Sequence, residues 1–190
     1  PRGSLPDLDL PTDRPRPAVQ TYAGDTRAVT WGEDLGEALE ARARGAGVTP
    51  FVWLLAAWTT WLSRITGQPD FAVGSPVAGR DAPELEGLLG YFVNPVVLRA
   101  DLTGRPSFSD VVERTRTAAA AALEHRDLPF PRLTERLRPN RDPARSPLFQ
   151  VMFALQRPHR AEQERLSPFA LGEDGARMVL GPLELTSRRL

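Results

Sequence analysis

The residues best placed to do chemistry in this sequence are two histidines, an amide in an apolar run and a group of arginine–aspartate turns. His125 stands two positions before Asp127, and a His–Asp pair can act as a general base with its orienting carboxylate. The same His125 closes a long helical run, where a cation is favoured by the helix dipole, and this structural reading is the one adopted. His159 sits in Arg157-Pro158-His159-Arg160 and reads as a solvated surface residue. Asn94 places a polar amide inside the apolar run 91–101, which is costly unless the amide is hydrogen-bonded. It fits a satisfied structural residue and a group facing a site equally well. Arg141-Asp142 and Arg145-Ser146-Pro147 precede a hydrophobic run and read as a turn locked by charge.

Much chemistry is excluded outright. The chain has no cysteine, so disulfides, thiolate nucleophiles and cysteine metal sites are absent. Two distant histidines give little material for a zinc centre, and no metal site is expected. All 24 basic residues are arginine, which removes Schiff-base and phosphate-loop lysines. No GxSxG, HExxH, GxxxxGKS or glycine-rich dinucleotide motif occurs. With 24 acidic residues the formal net charge is zero, unlike the basic patch of a nucleic-acid binder. No catalytic residue is assigned to this chain, and no cofactor is expected to be bound by it.

A length of 190 residues with 41% apolar side chains suffices for one domain, or one large lobe, with a real core. Residues 1–4 (PRGS) read as a purification-tag remnant in front of an excised fragment. Residues 5–17, LPDLDLPTDRPRP, carry prolines at 6, 11, 15 and 17 and form a stiff connector lying over a surface. Thr30 and Glu33 have the spacing of a capping box opening a first helix that ends at Gly45 and Gly47. Thr49-Pro50 opens a second helix, apolar nearly all round from 51 to 62, which predicts burial on every side. It is too short to span a bilayer, and with no signal peptide or anchor in view the expected location is cytoplasmic. Strands are expected at 71–77, 91–101, 148–155 and 178–185, with a short helix at 84–89. Ser107 and Asp110 start a long helix reaching about His125, and Pro129 and Pro131 precede a short one ending at Leu137. Residues 138–147 and 157–165 read as polar, exposed stretches. The order predicts an α/β architecture, a mixed sheet covered by helices.

Several segments together resemble the condensation domains of nonribosomal peptide synthetases. GLLGYFVNPVVLR (87–99), HRDLPF (125–130) and RDPARSPLFQVMF (141–153) are similar to that family's fifth, sixth and seventh motifs, in the right order. LPTDRPRP (10–17) and VGSPVAGR (73–80) also match its usual wording. Three residues depart from the pattern: Pro95 stands for Thr, Arg126 for Gln and Pro131 for Glu. The family's reaction centre, HHxxxDG, has no counterpart, since no two histidines are adjacent.

The resemblance implies the C-terminal half of a two-lobed, chloramphenicol-acetyltransferase-like domain. Residues 5–17 would be the interlobe linker and 18–190 the C-terminal lobe, with the reaction centre in an N-terminal lobe. The complete domain would join a donor and an acceptor thioester, each carried on the 4'-phosphopantetheine of a carrier domain, through an amide bond. The implied partners are the N-terminal lobe, donor and acceptor carrier domains and a neighbouring adenylation domain, with no nucleic acid and no membrane. By the same resemblance Asn94 faces the substrate tunnel, with Tyr91 and Ser75 near it, while His125, Asp127, Arg141, Asp142 and Arg145 are structural. The alternatives are a related epimerisation or heterocyclisation domain, an acyltransferase acting on free thioesters, and a non-catalytic recruitment module.

Overall fold

In a computed structural model of the chain, the described residues are 6–80, 82–85, 87–137, 142–156, 175, 177–180 and 183–186. The chain forms two units, Pro1–Ala154 and Leu155–Leu190. In the first unit the order is α1 (Glu33–Gly45), α2 (Pro50–Thr66), β1 (Asp70–Val77), a 3-10 turn (Pro83–Leu85), β2 (Asn94–Asp101), α3 (Phe108–Glu124) and α4 (Phe130–Leu137). The second holds an antiparallel hairpin of β3 (Arg177–Leu180) and β4 (Leu183–Thr186).

β1 and β2 pair antiparallel along their whole lengths, from Asp70 opposite Asp101 to Val77 opposite Asn94. Five consecutive β1 residues, Phe71 to Ser75, are buried, so both faces of the strand are covered. Phe71 and Val73, with Leu98 of β2, pack on Val52, Leu55, Ala56 and Leu62 of α2 and Val111, Val112 and Ala119 of α3. Ala72 on the opposite face packs with Leu148 and Phe149, against Val97, Phe130 and Leu133. A side chain alternates faces at each strand residue, so Phe71 and Val73 necessarily meet one layer and Ala72 the other.

Helix ends follow local chemistry where the caps are real. Thr49 Oγ1 accepts from the Val52 N–H at 3.3 Å, and Gly67 closes α2 in the left-handed conformation. The Ser107 capping box is complete: its hydroxyl accepts from the Asp110 N–H, and the Asp110 carboxylate accepts from the Ser107 N–H at 2.9 Å. The hydroxyl and N–H of Ser107 hold the Asp110 carboxyl below its ordinary range. Arg114 of α3 donates to the carbonyls of Asp101 and Thr103 at 3.1 and 3.0 Å, fastening the helix to the end of β2.

Several expectations are corrected. Thr30 caps nothing: α1 begins after Gly32, whose own conformation is extended. A start at Thr30 would put Gly32 inside the first turn and would bury little, since Trp31 is 70% exposed. The expected helix at 84–89 is only the Pro83–Leu85 turn, and residues 91–93 lie outside β2. The strand expected at 148–155 reduces to one parallel bridge, Gly74 with Met152. There the Gly74 N–H donates to Val151 O at 2.9 Å and the Phe153 N–H to Gly74 O at 2.8 Å. The single strand expected at 178–185 is instead two antiparallel strands, β3 and β4, with Leu180 opposite Leu183. α2 is not buried all round: Ala57, Arg64 and Ile65 are exposed, and Trp61 is 54% exposed. The connector does not merely lie over a surface either: Leu8 is 1% exposed and belongs to the main core. The polar stretches at 138–141 and 157–165 lie outside the described residues.

Gly74 leaves no room for a side chain on its strand. A Cβ there would stand 2.5 Å from ring carbons of Phe149, which is itself buried. Gly74→Ala is therefore expected to cost about 1–3 kcal/mol by overpacking, read in chemical denaturation. Combined with Phe149→Leu, which withdraws the ring, the loss is expected to be clearly less than the sum of the two single effects.

Candidate functional site

Asn94, the first residue of β2, ties three distant backbone groups together. Its Nδ2 donates to Arg126 O at 2.7 Å and to Leu128 O at 2.9 Å, and its Oδ1 accepts from the Phe130 N–H at 3.0 Å. The amide thus uses both donors and its acceptor on the turn between α3 and α4. An Asn can do this because its two ends have opposite hydrogen-bonding character within one small planar group. The Phe130 ring then packs 5.3 Å from Phe149, joining this turn to the layer under β1.

His125 and Asp127 belong to that turn and are exposed. His125 is the C-terminal cap of α3. Among the described residues no hydrogen bond or ion pair joins the His125 and Asp127 side chains, and no cluster of three metal-binding side chains occurs. The general-base reading of this pair has no geometry behind it.

The stretch between β1 and β2 is organised by Arg80, which sequence reasoning did not single out. Its guanidinium donates to Leu85 O and to Gly90 O, and it lies 4.2 Å from the centroid of the Phe92 ring. Gly79 makes this closure possible: its φ is +62° and a Cβ would collide with Phe92 O. The apolar tip so held is open to solvent, with Leu89 fully exposed and Tyr91 at 85%. Ser75, by contrast, is buried within β1 opposite Val96. Tyr91, Ser75 and Asn94 therefore occupy three different environments: a surface tip, a strand interior and a backbone clamp.

The arginine–aspartate turn is visible from residue 142 onward, and Arg141 lies outside the described residues. Asp142 Oδ1 accepts from the Ala144 N–H at 2.8 Å, and Arg145 sits 3.9 Å from the Asp142 carboxylate and 3.8 Å from Asp9. Gln150, which sequence reasoning also passed over, accepts from the Leu8 N–H at 2.7 Å. The signals were Gly79 before a charged residue and a glutamine inside an apolar run. Neither names a partner.

A family model described as Condensation domain matches residues 2–179. The chain is 46% identical over 186 residues to the phosphinothricin tripeptide synthetase PhsB of Streptomyces viridochromogenes, covering 97% of this chain and 16% of that protein. It is 42% identical over 177 residues to the malpinin synthetase of Mortierella alpina, covering 91% of this chain and 2% of that one. It thus spans a small fraction of its relatives' length. Among solved structures, holo-AB3403, a four-domain nonribosomal peptide synthetase bound to AMP and glycine, is similar with a TM-score of 0.84 at 25% identity. That match covers 97% of this chain and 14% of the other. The X-domain in complex with OxyB from teicoplanin biosynthesis is similar with a TM-score of 0.74 at 30% identity, over 80% of this chain and 33% of that one.

Asn94→Ala leaves the Phe130 N–H and two carbonyls without their partner, an expected loss of about 1–3 kcal/mol in denaturant unfolding. Asn94→Asp separates the two halves of the clamp. The new carboxylate still accepts from Phe130 but faces two carbonyl oxygens, so its folded-state pKa lies above the ordinary value near ~3.9. Its penalty is then fullest above that raised pKa and fades as the pH falls through it, measured by stability across an acid titration.

Proposed function

The chain belongs to the condensation-domain family, and from that premise we propose that it is the C-terminal lobe of a peptide-bond-forming domain of a nonribosomal peptide synthetase. The observation that carries this reading is the family match across residues 2–179, with three motifs in the family's order inside it. Neighbouring solved structures with the same α/β arrangement support the chloramphenicol-acetyltransferase-like fold.

The reaction is attack by the amine nitrogen of a carrier-bound acceptor on the thioester carbonyl of a carrier-bound donor. A C–N bond forms, the C–S bond breaks, and the departing sulfur takes up the proton that the amine gives up. Both reactants arrive on 4'-phosphopantetheine arms, so most of the acceleration comes from holding two tethered groups in register. A histidine of the HHxxxDG motif in the companion lobe handles the proton or the tetrahedral intermediate. This chain, with no adjacent histidine pair, supplies one wall of the tunnel and part of the surface the carriers meet. Donor and acceptor carrier domains and an adenylation domain are its neighbours in the whole synthetase, and the cytoplasm is its setting. Among the described residues no helix is long and apolar enough to cross a membrane.

In this reading Asn94 shapes the wall by fixing the 126–130 turn, because its amide is already engaged by backbone. Tyr91, on the open tip, is the group free to meet a substrate or the companion lobe. Asp142 and Arg145 brace the lobe and His125 ends α3, while among the described residues the exposed Asp127 has no such contact.

A second reading is a recruitment module without catalysis, favoured by the likeness to the X-domain, whose solved structure is a complex with another protein, OxyB. The experiment is a condensation assay with two loaded carriers. This chain alone is expected to give no dipeptidyl product, whereas the parent protein with its preceding lobe is expected to give one. Product from the isolated chain would overturn the placement of the reaction centre. An inactive parent that still binds a partner protein would favour recruitment.

A further inference from the structure

The turn at 142–150 and the start of the connector hold each other through backbone-directed bonds. Gln150 Oε1 accepts from the Leu8 N–H at 2.7 Å, while Gln150 Nε2 donates to Ser146 O at 3.2 Å. From the other side Gln68, just past α2, closes a two-point clamp. Its Oε1 accepts from the Asp9 N–H at 2.7 Å and its Nε2 donates to Asp7 O at 2.9 Å. Between the two glutamines the Leu8 side chain enters the main core at 1% exposure, with Leu10 packed against it. Arg145 adds a long ion pair to Asp9 at 3.8 Å. Beyond Leu10 the character changes: every residue from 11 to 38 is exposed. Over that stretch the backbone touches the turn again where the Gln20 N–H donates to Pro143 O at 3.1 Å.

We propose that Gln68, Arg145 and Gln150 form a binding cradle for the chain's own connector, so that residues 7–10 move as part of this unit. Three consecutive residues are read through their peptide groups and one through an apolar anchor, as an extended peptide is bound in a groove. Held at Leu8, the proline-bearing connector starts from a fixed place on this unit. If the preceding part is the companion lobe, a point that rests on the reading above, the cradle holds the chain at its entry to this lobe. The charged turn then has a task beyond bracing itself: it fixes where the preceding chain enters this unit.

Amide hydrogen exchange on the 190-residue chain tests the cradle without any assay of activity. The Leu8 and Asp9 amides are expected to exchange at least about tenfold more slowly than those of Thr12 and Asp13. Gln150→Leu is expected to speed Leu8, and Gln68→Leu to speed Asp9, with Val112 and Ala119 in α3 unchanged. Exchange of Leu8 and Asp9 at the rate of Thr12 in the wild-type chain would overturn the proposal, and that comparison stands even if a variant fails to fold. An unchanged Leu8 rate in folded Gln150→Leu would overturn it too. A condensation assay has no bearing on these rates, so the cradle and the proposed function fail separately.

Discussion

Burial of β1 on both faces is the constraint on which the rest of the first unit depends. A strand covered on one side only could take polar residues at every second position. Here Phe71 to Ser75 are buried in succession, and each side needs its own layer. Helices α2 and α3 supply one, drawn in by Phe71, Val73 and Leu98. Leu148, Phe149 and the start of α4 supply the other. Gly74 lets the Phe149 ring lie against the strand itself. The polar ties then fall at the rim of this sandwich: Asn94 at one end of β2, and Arg114 with Asp101 at the other. At that second end the Thr103 hydroxyl and N–H hold the Asp101 carboxyl below its usual range, with Arg114 adding to the effect.

What the sequence made legible was what neighbouring residues decide among themselves. Thr49-Pro50, and Ser107 with Asp110, open their helices as expected because a cap is a contact across three residues. Thr30 failed by the same logic: the spacing was right, but Gly32 and an exposed Trp31 gave the helix no reason to start there. Residues 148–155 have the composition of a strand, yet pairing depends on which edge is within reach, and β1 offers them a single bridge. Asn94 shows the limit most clearly. Its residue type demanded partners, but those partners lie 32 to 36 positions away. Likewise nothing in LPDLDL says that Leu8, rather than Leu10, is the buried anchor.

In the proposed reading the reaction centre lies in a companion lobe and this chain takes a supporting share. Its candidate groups are spent on shape. His125 ends a helix, Asp142 folds a turn, and the Asn94 amide is occupied by backbone. Arg80 performs the same service for the stretch before β2, holding an apolar tip out from the unit by two carbonyls and one ring. Leu88, Leu89 and Tyr91 of this tip stand in the open.

The Asn94 clamp reaches for peptide groups alone, and this has a bearing on how the segment can change over generations. Carbonyls at 126 and 128 and an N–H at 130 are present whatever side chains those positions carry, provided 130 is not proline. Arginine in place of the commoner glutamine at 126 therefore leaves the clamp intact. Substitution around the amide spares the clamp, whereas replacing the amide itself would undo three hydrogen bonds at once.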